Sequence, residues 1–459
     1  MLDKQKYEQV LFEKTVEIEQ PKKKEMWAYA FGSFGIFSVW TLIGAFLTFY
    51  YTDVAGLAAG TVGTLMLLAR LFDGITDLGM GTLVDRTKSK YGKARPWLLW
   101  MSIPLGVTTV LLFSVPNISM SGKVVYAYVT YILFILLYTA VSIPYKTLLG
   151  VMTQHQHSRS LSNIYSAIFI MTGTMIVMTL TQPLAASFGW STLAALFAVV
   201  TVVALYITFR SVKERTTTSS TKEAKLGVKE GFRNLFKNKY WVIITAFCVT
   251  FYATIGLTQG AGIYYAAWIL GDISYYPLIG LAISAPMLIG LLFLGPFVAK
   301  YGKRNVVIIG ASVAIIGQVI KWMNPTDLTT FLIGTVLAAL GAMPAIALIF
   351  AMINDTIEYG EYKTGLRTEG LVNSGASFGI KVGTGIGLAL IGWLLGVGGY
   401  IGGGATEQSD LAIQMILALN IAIPLVLTIV QLLLLLLFKM DKEYPMILAE
   451  LQKRKGLIK

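Results

Sequence analysis

Twelve long apolar stretches constrain the fold of this chain more than any other feature of its sequence. Each has about the 20 residues that an α-helix needs to cross the hydrocarbon core of a bilayer. The composition agrees, because 55% of the 459 residues are hydrophobic and only 13% are charged. We therefore predict an all-α membrane protein with twelve transmembrane helices. They are expected at residues 27–51, 58–84, 97–116, 124–150, 161–187, 189–210, 240–268, 275–299, 304–323, 328–354, 372–399 and 409–438.

The uneven distribution of basic residues predicts how these helices are oriented. If both termini lie in the cytoplasm, most of the 37 Lys and Arg fall in cytoplasmic segments, and the outer loops hold only Lys123 and Lys321. This asymmetry follows the positive-inside rule and indicates a multi-pass protein of a bacterial-type plasma membrane. Topology and contact with anionic lipids therefore explain the net charge of +13, and nucleic-acid binding is not expected.

Short motifs recur about 200 residues apart, which indicates an internal repeat. Tyr91-Gly92-Lys93 follows the second span and Tyr301-Gly302-Lys303 the eighth, while Pro144 and Pro344 lie in the fourth and tenth spans. Two parallel six-helix repeats are typical of the major facilitator fold, in which ligands bind near the midplane between the halves. The sequence thus predicts five regions. They are a cytoplasmic segment 1–26, a six-helix bundle 27–210, a cytoplasmic middle loop 211–239, a second bundle 240–438 and a cytoplasmic tail 439–459.

The second span carries three charged residues on one face of its helix. Arg70, Asp73 and Asp77 lie at positions i, i+3 and i+7, within one narrow sector. A charge at the bilayer centre costs roughly 2.5–3.5 kcal/mol, so these residues require partners, water or an ion. The two carboxylates and the Thr76 hydroxyl offer hard oxygen ligands that suit Na⁺. Neighbouring carboxylates also raise each other's proton affinity, so a proton is the alternative, and a structural salt-bridged patch is the third interpretation.

Two lysines in other spans are candidate partners for these charges. Lys381 lies near the middle of the eleventh span, where a partner carboxylate is expected. Lys146 shares a face of the fourth span with Thr139 and Ser142, about one turn from the cytoplasmic end. Its ammonium either snorkels to the membrane surface or faces the central cavity, where it would pair with a carboxylate or an anionic substrate. We interpret Arg70 as the structural counter-charge of the two aspartates.

Charged residues also concentrate in the predicted cytoplasmic loops, where ion pairs would hold an inner gate closed. One group surrounds the loops after the second and fourth spans, and the other follows the tenth span. The ordinary alternative is a solvated charged loop. The predicted gate residues are Asp85, Arg86, Lys93, Arg95, Arg159, Asp355, Glu358, Arg367 and Glu369.

Five short motifs are more specific together than any one of them alone. They are the segment 50–57, Asp73-x-x-x-Asp77, Gly92-Lys93-x-Arg95-Pro96-Trp97, Ile143-Pro144-Tyr145 and the segment 355–369. In this order the chain resembles the glycoside–pentoside–hexuronide:cation symporters, and in particular their melibiose-permease-like members. The resemblance implies a major facilitator fold, alternating access and cation-coupled uptake of a sugar derivative. It also implies a cation site, with Lys381 nearby, formed by Asp73, Thr76, Asp77 and Thr139.

The coupling ion is the only ligand of metal or cofactor type that this resemblance implies. Thr76 replaces an asparagine of the melibiose-permease-like members, so the ion is either Na⁺ or H⁺. A site for any other metal and an organic cofactor are not expected.

The sugar-binding part of the pattern departs from the melibiose-permease-like members. Phe37 and Ser142 replace aspartates, Lys146 replaces a tryptophan and Ala167 replaces an arginine, so recognition of a melibiose-type galactoside is not expected. Lys146 instead favours an anionic sugar, such as a glucuronide. Aromatic faces suit the C–H surfaces of a pyranose ring, and polar side chains suit its hydroxyls. The candidate sugar-binding residues are Trp40, Tyr50, Ser142, Tyr145, Lys146, Asn163, Asn373 and Ser377.

These observations lead to one functional hypothesis and two alternatives. We predict a secondary active symporter, not an enzyme, that takes up a glycoside, pentoside or hexuronide with Na⁺ or H⁺ as a monomer in contact with membrane lipids. A transporter of the same fold for a lysolipid or another amphiphile is the first alternative. A membrane sensor or enzyme is the second, and it would need a reactive set of residues or an appended soluble domain, neither of which the sequence reveals.

Overall fold

The computed structural model describes residues 20–153, 155–215, 233, 235–365 and 369–454, apart from three side chains at positions 78, 156 and 442. Within these ranges the chain forms helices and no strand. The first half contains α1 (Lys23–Leu42), α2 (Ala59–Arg86), α3 (Arg95–Leu112), α4 (Met120–Met152), α5 (Gln156–Phe188) and α6 (Trp190–Ser211). The second half contains α7 (Lys239–Trp268), α8 (Tyr276–Tyr301), α9 (Lys303–Met323), α10 (Leu328–Thr364), α11 (Glu369–Val397) and α12 (Asp410–Leu437).

Two of these helices contain wider π-helical turns. α1 continues through Ile43–Leu47 and Tyr50–Val54, and α12 consists of Asp410–Leu417, a π-turn at Ala418–Ala422 and Ile423–Leu437. A thirteenth helix, α13 (Met440–Arg454), follows. The fold class predicted from the sequence, an all-α protein with twelve transmembrane helices, is confirmed.

Helix α2 differs from the others in polarity. Eleven of the described helices are long and apolar enough to cross a membrane, and α2 is not among them because it carries Arg70, Asp73 and Asp77. It is enclosed instead by α4 and α11, which both pack against it. The charges of α2 therefore face protein, as intramembrane charges generally do.

The internal repeat predicted from the sequence recurs in the geometry of two tight turns. Gly92 after α2 and Gly302 after α8 adopt φ values of 98° and 79°, which glycine reaches without steric strain. Just beyond them, the Arg95 guanidinium donates to a carbonyl near the end of α6. Arg304 donates likewise to carbonyls at the end of α12. The same device thus fixes the start of the third helix in each half.

Helix α11 occupies a central position between α7 of its own half and α2 of the other. A Cβ atom added at Gly383 or Gly387 would collide with backbone carbonyls of α7, and one at Gly392 would collide with α2. Glycine occurs at every fourth residue of this part of α11, at positions 375, 379, 383 and 387. The close approaches explain this series as a packing feature. Lys381 lies two residues from Gly383, so the same packing directs its side chain away from α7 and towards α2.

Three features differ from the sequence-based expectations. α10 runs ten residues beyond the predicted limit of 354, so part of the expected gate loop is helical. The predicted tail contains α13, which buries Ile447 and Leu451 against the second half. Lys321 lies in the last turn of α9 with only 3% of its surface exposed, so its assignment to an outer loop is wrong. Predictions for residues 1–19 and 216–232 lie outside the described residues.

Candidate functional site

The structure brings Lys381 against both carboxylates of α2. Its ammonium lies 3.0 Å from Asp73 Oδ2 and 2.5 Å from Asp77 Oδ2, and it donates to the Asp73 carbonyl at 2.9 Å. The Asp73 residue is 3% exposed, whereas the Asp77 and Lys381 side chains are about one-fifth exposed. Burying charges with so little exposure to solvent is costly. The three acceptors around the Lys381 ammonium offset part of this cost.

Two hydroxyls complete this group. Thr139 on α4 donates to Asp73 Oδ1 at 3.0 Å, and Thr76 donates to the Asp73 carbonyl at 3.2 Å. The two hydroxyl oxygens lie 3.5 Å apart. We call Asp73, Thr76, Asp77, Thr139 and Lys381 the ion-pair cluster. The cluster offers two carboxylates and neutral oxygens. Among the described residues no group of three or more His, Cys, Asp or Glu could hold a metal ion.

Arg70 does not contact the aspartates in the way that the sequence suggested. Its guanidinium lies 3.7 Å from the centre of the Trp40 ring, which is stacked on Tyr138 with 4.4 Å between ring centroids. The counter-charge of Asp73 and Asp77 within ion-pair distance is Lys381. Arg70 lies one turn away from Asp73 along α2, and its stem packs against Gly385 of α11. Its Nε and Nη1 atoms are buried without a hydrogen-bond partner among the described residues.

Lys146 lies beside the ion-pair cluster. Its side chain is exposed and interacts electrostatically with Asp77, Lys381 and Asp73. Ser142 lies one turn away on the same helix and is buried, with 7% of its surface exposed. The structure therefore places the Lys146 ammonium near the cluster.

Two predicted sugar-binding tyrosines are used for packing within the first half. The Tyr145 ring stacks on Tyr29 at 4.5 Å, and its hydroxyl contacts Ser33 Oγ at 2.7 Å and the Tyr29 carbonyl. Tyr50 is 5% exposed, and its hydroxyl accepts from the Val115 amide at 3.0 Å. Neither ring is available as a stacking face in this conformation. The Trp40 ring is likewise covered, by Arg70 and Tyr138.

Three predicted polar contacts are exposed. Asn163 lies on α5, while Asn373 and Ser377 lie on α11 at the side of the cluster near the start of that helix. The Asn373 amide donates to the Glu369 carbonyl at 3.1 Å. Phe378, next to Ser377, is half exposed and was not identified from the sequence. Its position three residues before Lys381, near the middle of a predicted span, is the sequence feature that could have identified it.

Five of the predicted gate residues make contacts within one half of the molecule; they are Asp85, Lys93, Arg95, Arg159 and Asp355. Lys93 pairs with Asp85 at 2.9 Å, and Asp355 pairs with Lys303, which the sequence analysis did not select as a gate residue. Arg159 donates to carbonyls at the end of α4, as Arg95 does at the end of α6, and Arg86 is exposed. Glu358 and Glu369 have further interactions, and Arg367 lies outside the described residues.

An acidic residue missed by the sequence analysis fixes the basic turn after α2. The Glu214 carboxylate accepts hydrogen bonds of 2.9 Å from the amides of Lys93, Ala94 and Arg95 at the start of α3. A carboxylate at a helix N-terminus is favoured by both hydrogen bonding and the helix dipole. Its location just after a predicted span, on the side of the membrane that also holds the basic turn, is the sequence feature that could have identified it.

The two halves are joined at the end of the bundle opposite to these basic turns. The Tyr400 hydroxyl donates to Asp53 Oδ1 at 2.7 Å and accepts from the Trp268 indole at 2.9 Å. Thr52 Oγ1 lies 2.7 Å from the Tyr264 hydroxyl. We call these five residues the latch. At the other end, the ion pairs Lys93–Asp85 and Lys303–Asp355 each lie within one half.

Comparisons with known proteins agree with this architecture. The sequence model of the family described as MFS/sugar transport protein matches residues 28–442. The isoprimeverose transporter of Lactiplantibacillus pentosus is 34% identical over 94% of this chain and 91% of its own length. A putative glycoside/cation symporter, YagG, of Escherichia coli strain K12 is 29% identical over 91% and 92% of the two chains. The solved structure of a bacterial homologue of the human drug peptide transporters PepT1 and PepT2 has a TM-score of 0.64 at 14% identity, covering 95% of this chain and all of that one. That likeness concerns the fold alone.

Proposed function

Because the chain belongs to the MFS/sugar transport protein family, we propose that it is a symporter that imports a glycoside, pentoside or hexuronide together with Na⁺ or H⁺. The observation that carries this proposal is the Lys381 ammonium held between Asp73 and Asp77. The names of the relatives support a sugar derivative as substrate and a cation as the coupling ion.

The ion-pair cluster suggests how the cation takes part. Lys381 is bonded to carboxylate oxygens that would otherwise ligate Na⁺ at short range. A cation therefore competes with the ammonium, and its binding displaces Lys381 from α2. Protonation of Asp77 has the same consequence, because it removes one of the charges that hold the ammonium. Since α2 and α11 belong to different halves, occupancy of this site changes the contact between the halves and so couples the cation to alternating access.

Access to the cluster follows from the latch and the charge distribution. The latch closes one end, and the basic turns lie at the other. Under the positive-inside rule the basic end is cytoplasmic, which gives an inward-facing conformation with both termini in the cytoplasm of a bacterial-type plasma membrane. We propose a monomer, since each half-to-half contact that this mechanism uses lies within one chain.

The charges around the cluster favour an anionic sugar. Arg70, Lys146 and Lys381 bring three positive charges, against two negative charges from Asp73 and Asp77. A bound Na⁺ adds another positive charge, whereas a carboxylate on the sugar offsets the excess. Lys146 is the exposed member of the three cations, so we assign it to the acidic group of the substrate.

Uptake by reconstituted proteoliposomes tests the assignment. Radiolabelled glycosides and hexuronides are offered under an inward Na⁺ gradient, a proton gradient or neither. We expect Asp73→Asn and Asp77→Asn to abolish gradient-driven accumulation, because the amide removes the negative charge that attracts the cation and binds Lys381. Glu407→Gln is the matched control, since it removes a carboxylate charge that is exposed in the loop before α12 and should retain most of the uptake. Unchanged cation dependence in both cluster variants would refute the assignment.

A further inference from the structure

A second polar site lies inside the second half, away from the ion-pair cluster. A cavity of about 90 Å³ is lined by α7, α8, α9, α10 and α12, and no residue of the cluster lines it. Most of its wall is apolar. Its larger polar side chains are Lys321, Gln318, Asn420 and Gln431.

Lys321 is buried there without a neutralising partner. Its ammonium donates to the Asn420 carbonyl at 3.2 Å, in the π-turn of α12, and lies 5.2 Å from the centre of the Phe331 ring. Among the described residues no carboxylate lies within the 4.0 Å of an ion pair. An ammonium has three N–H donors, and the protein supplies one hydrogen-bond acceptor. When protonated, Lys321 therefore lacks both a counter-charge and part of its hydrogen bonding.

The packing of α9 on α10 keeps the lysine inside. Gly317 and Gly334 allow the two backbones to approach closely, and a Cβ at Gly334 would lie 2.5 Å from Lys321 Cγ. The stem thus lies along a groove formed by a missing side chain, with its charged end in the cavity. Snorkelling is the usual way for a lysine near a helix end to reach water, and this side chain, at 3% exposure, does not.

A second buried group faces the same cavity without a partner. Gln318 is 2% exposed, and its Oε1 atom makes no hydrogen bond among the described residues. The two ends of an amide exchange by rotation, so Gln318 presents either an oxygen or an NH₂ group to a ligand. A cavity of this volume has room for several particles of the size of water. Chloride is comparable in size with water.

We propose that this cavity binds one small monovalent anion of the chloride class, with accompanying water, between the Lys321 ammonium and the Gln318 amide. A buried unpaired charge is costly, and an anion supplies both the missing counter-charge and the missing acceptor. The bound anion links α9, α10 and α12 and stabilises the second half. The proposal is independent of the transported substrate.

Thermal unfolding of the purified protein tests the proposal. Chloride is exchanged for the much larger gluconate anion at constant ionic strength and constant Na⁺. We expect chloride to raise the Tm saturably by at least about 2 °C, since a ligand that binds only the folded state stabilises it. Lys321→Met should remove this dependence whatever the Tm of the variant is. Lys123→Met is the matched control, because Lys123 also donates to a backbone carbonyl, that of Ala55 at 3.0 Å, and should retain the dependence.

Several outcomes would overturn the proposal. The absence of a chloride-specific shift, the same shift with gluconate, or an undiminished shift in Lys321→Met would each do so. If Lys321→Met does not fold, Gln318→Leu decides, since it keeps the charge and removes the amide. Its chloride midpoint should lie at least about threefold higher than that of the unmodified protein, and an equal midpoint overturns the proposal.

Discussion

The latch gives the sharpest prediction about the conformational equilibrium. Tyr400→Phe removes the hydroxyl that donates to the Asp53 carboxylate and accepts from the Trp268 indole. A hydrogen bond to a charged group contributes about 1.5–3 kcal/mol and a neutral one about 0.5–1.5 kcal/mol. Water that enters a loosened latch replaces part of both, so we expect a net loss of about 2 kcal/mol. This corresponds to about a 30-fold shift towards the outward-open state, in which these contacts are absent.

Distances between spin labels measure this shift directly. Labels at Asn117→Cys and Thr326→Cys lie on exposed outer loops of different halves, and the native Cys248 is fully buried and should not be labelled. An outward-open population of 1% should rise to roughly a quarter in Tyr400→Phe. Tyr50→Phe is the matched control, because the Tyr50 hydroxyl accepts from an amide of its own half. If the two variants shift the distance distribution equally, the latch does not set this equilibrium.

Two further predictions concern substrate charge and packing. Lys146→Ala should weaken uptake of a hexuronide at least about tenfold more than that of a neutral glycoside, because it removes the cation assigned to the acidic group. Lys88→Ala, in an exposed loop, should affect the uptake of both substrates little. Equal losses of uptake for the two substrates in Lys146→Ala would contradict the assignment. Gly387→Ala should lower the Tm, because the added Cβ collides with α7. By contrast, Gly79→Ala meets open space and should leave the Tm unchanged or raise it by improving helix propensity by up to about 1 kcal/mol. A Tm for Gly387→Ala equal to that of Gly79→Ala would show that the close approach of α11 is relaxed in solution.

Much of the fold can be predicted from the pattern of apolar residues along the chain, because few backbone structures are stable in a bilayer. A membrane helix must be about 20 apolar residues long and satisfy its own backbone hydrogen bonds, so runs of apolar residues locate the twelve helices directly. The same physics makes charges inside a span conspicuous, which is why Asp73, Asp77 and Lys381 could be selected as a group. The limits of α10 were less certain, because a helix continues beyond the membrane without an apolar signal.

The sugar-binding candidates were harder to predict, because residue type does not report direction. Tyr50 and Tyr145 have the chemistry of a stacking platform, yet both are used for packing between helices of the first half. Tyr138 lies near Asp73 and Asp77, and Phe378 lies near Gly74, yet neither residue was predicted from the sequence. An aromatic residue is favourable in either position, so only its neighbours distinguish them.

The sequence by itself determined the number of membrane helices, the repeat of two halves and the presence of a costly charged face on α2. Those features depend on hydrophobicity and spacing along one chain, which local physics fixes. Only the tertiary structure decided which cation meets the aspartates: Lys381 contacts both, while Arg70 lies on Trp40. It also decided that Lys321 is buried in a cavity and not exposed in an outer loop. Both outcomes depend on how closely neighbouring helices approach, and glycines of α10 and α11 set that approach through contacts that residue spacing cannot encode.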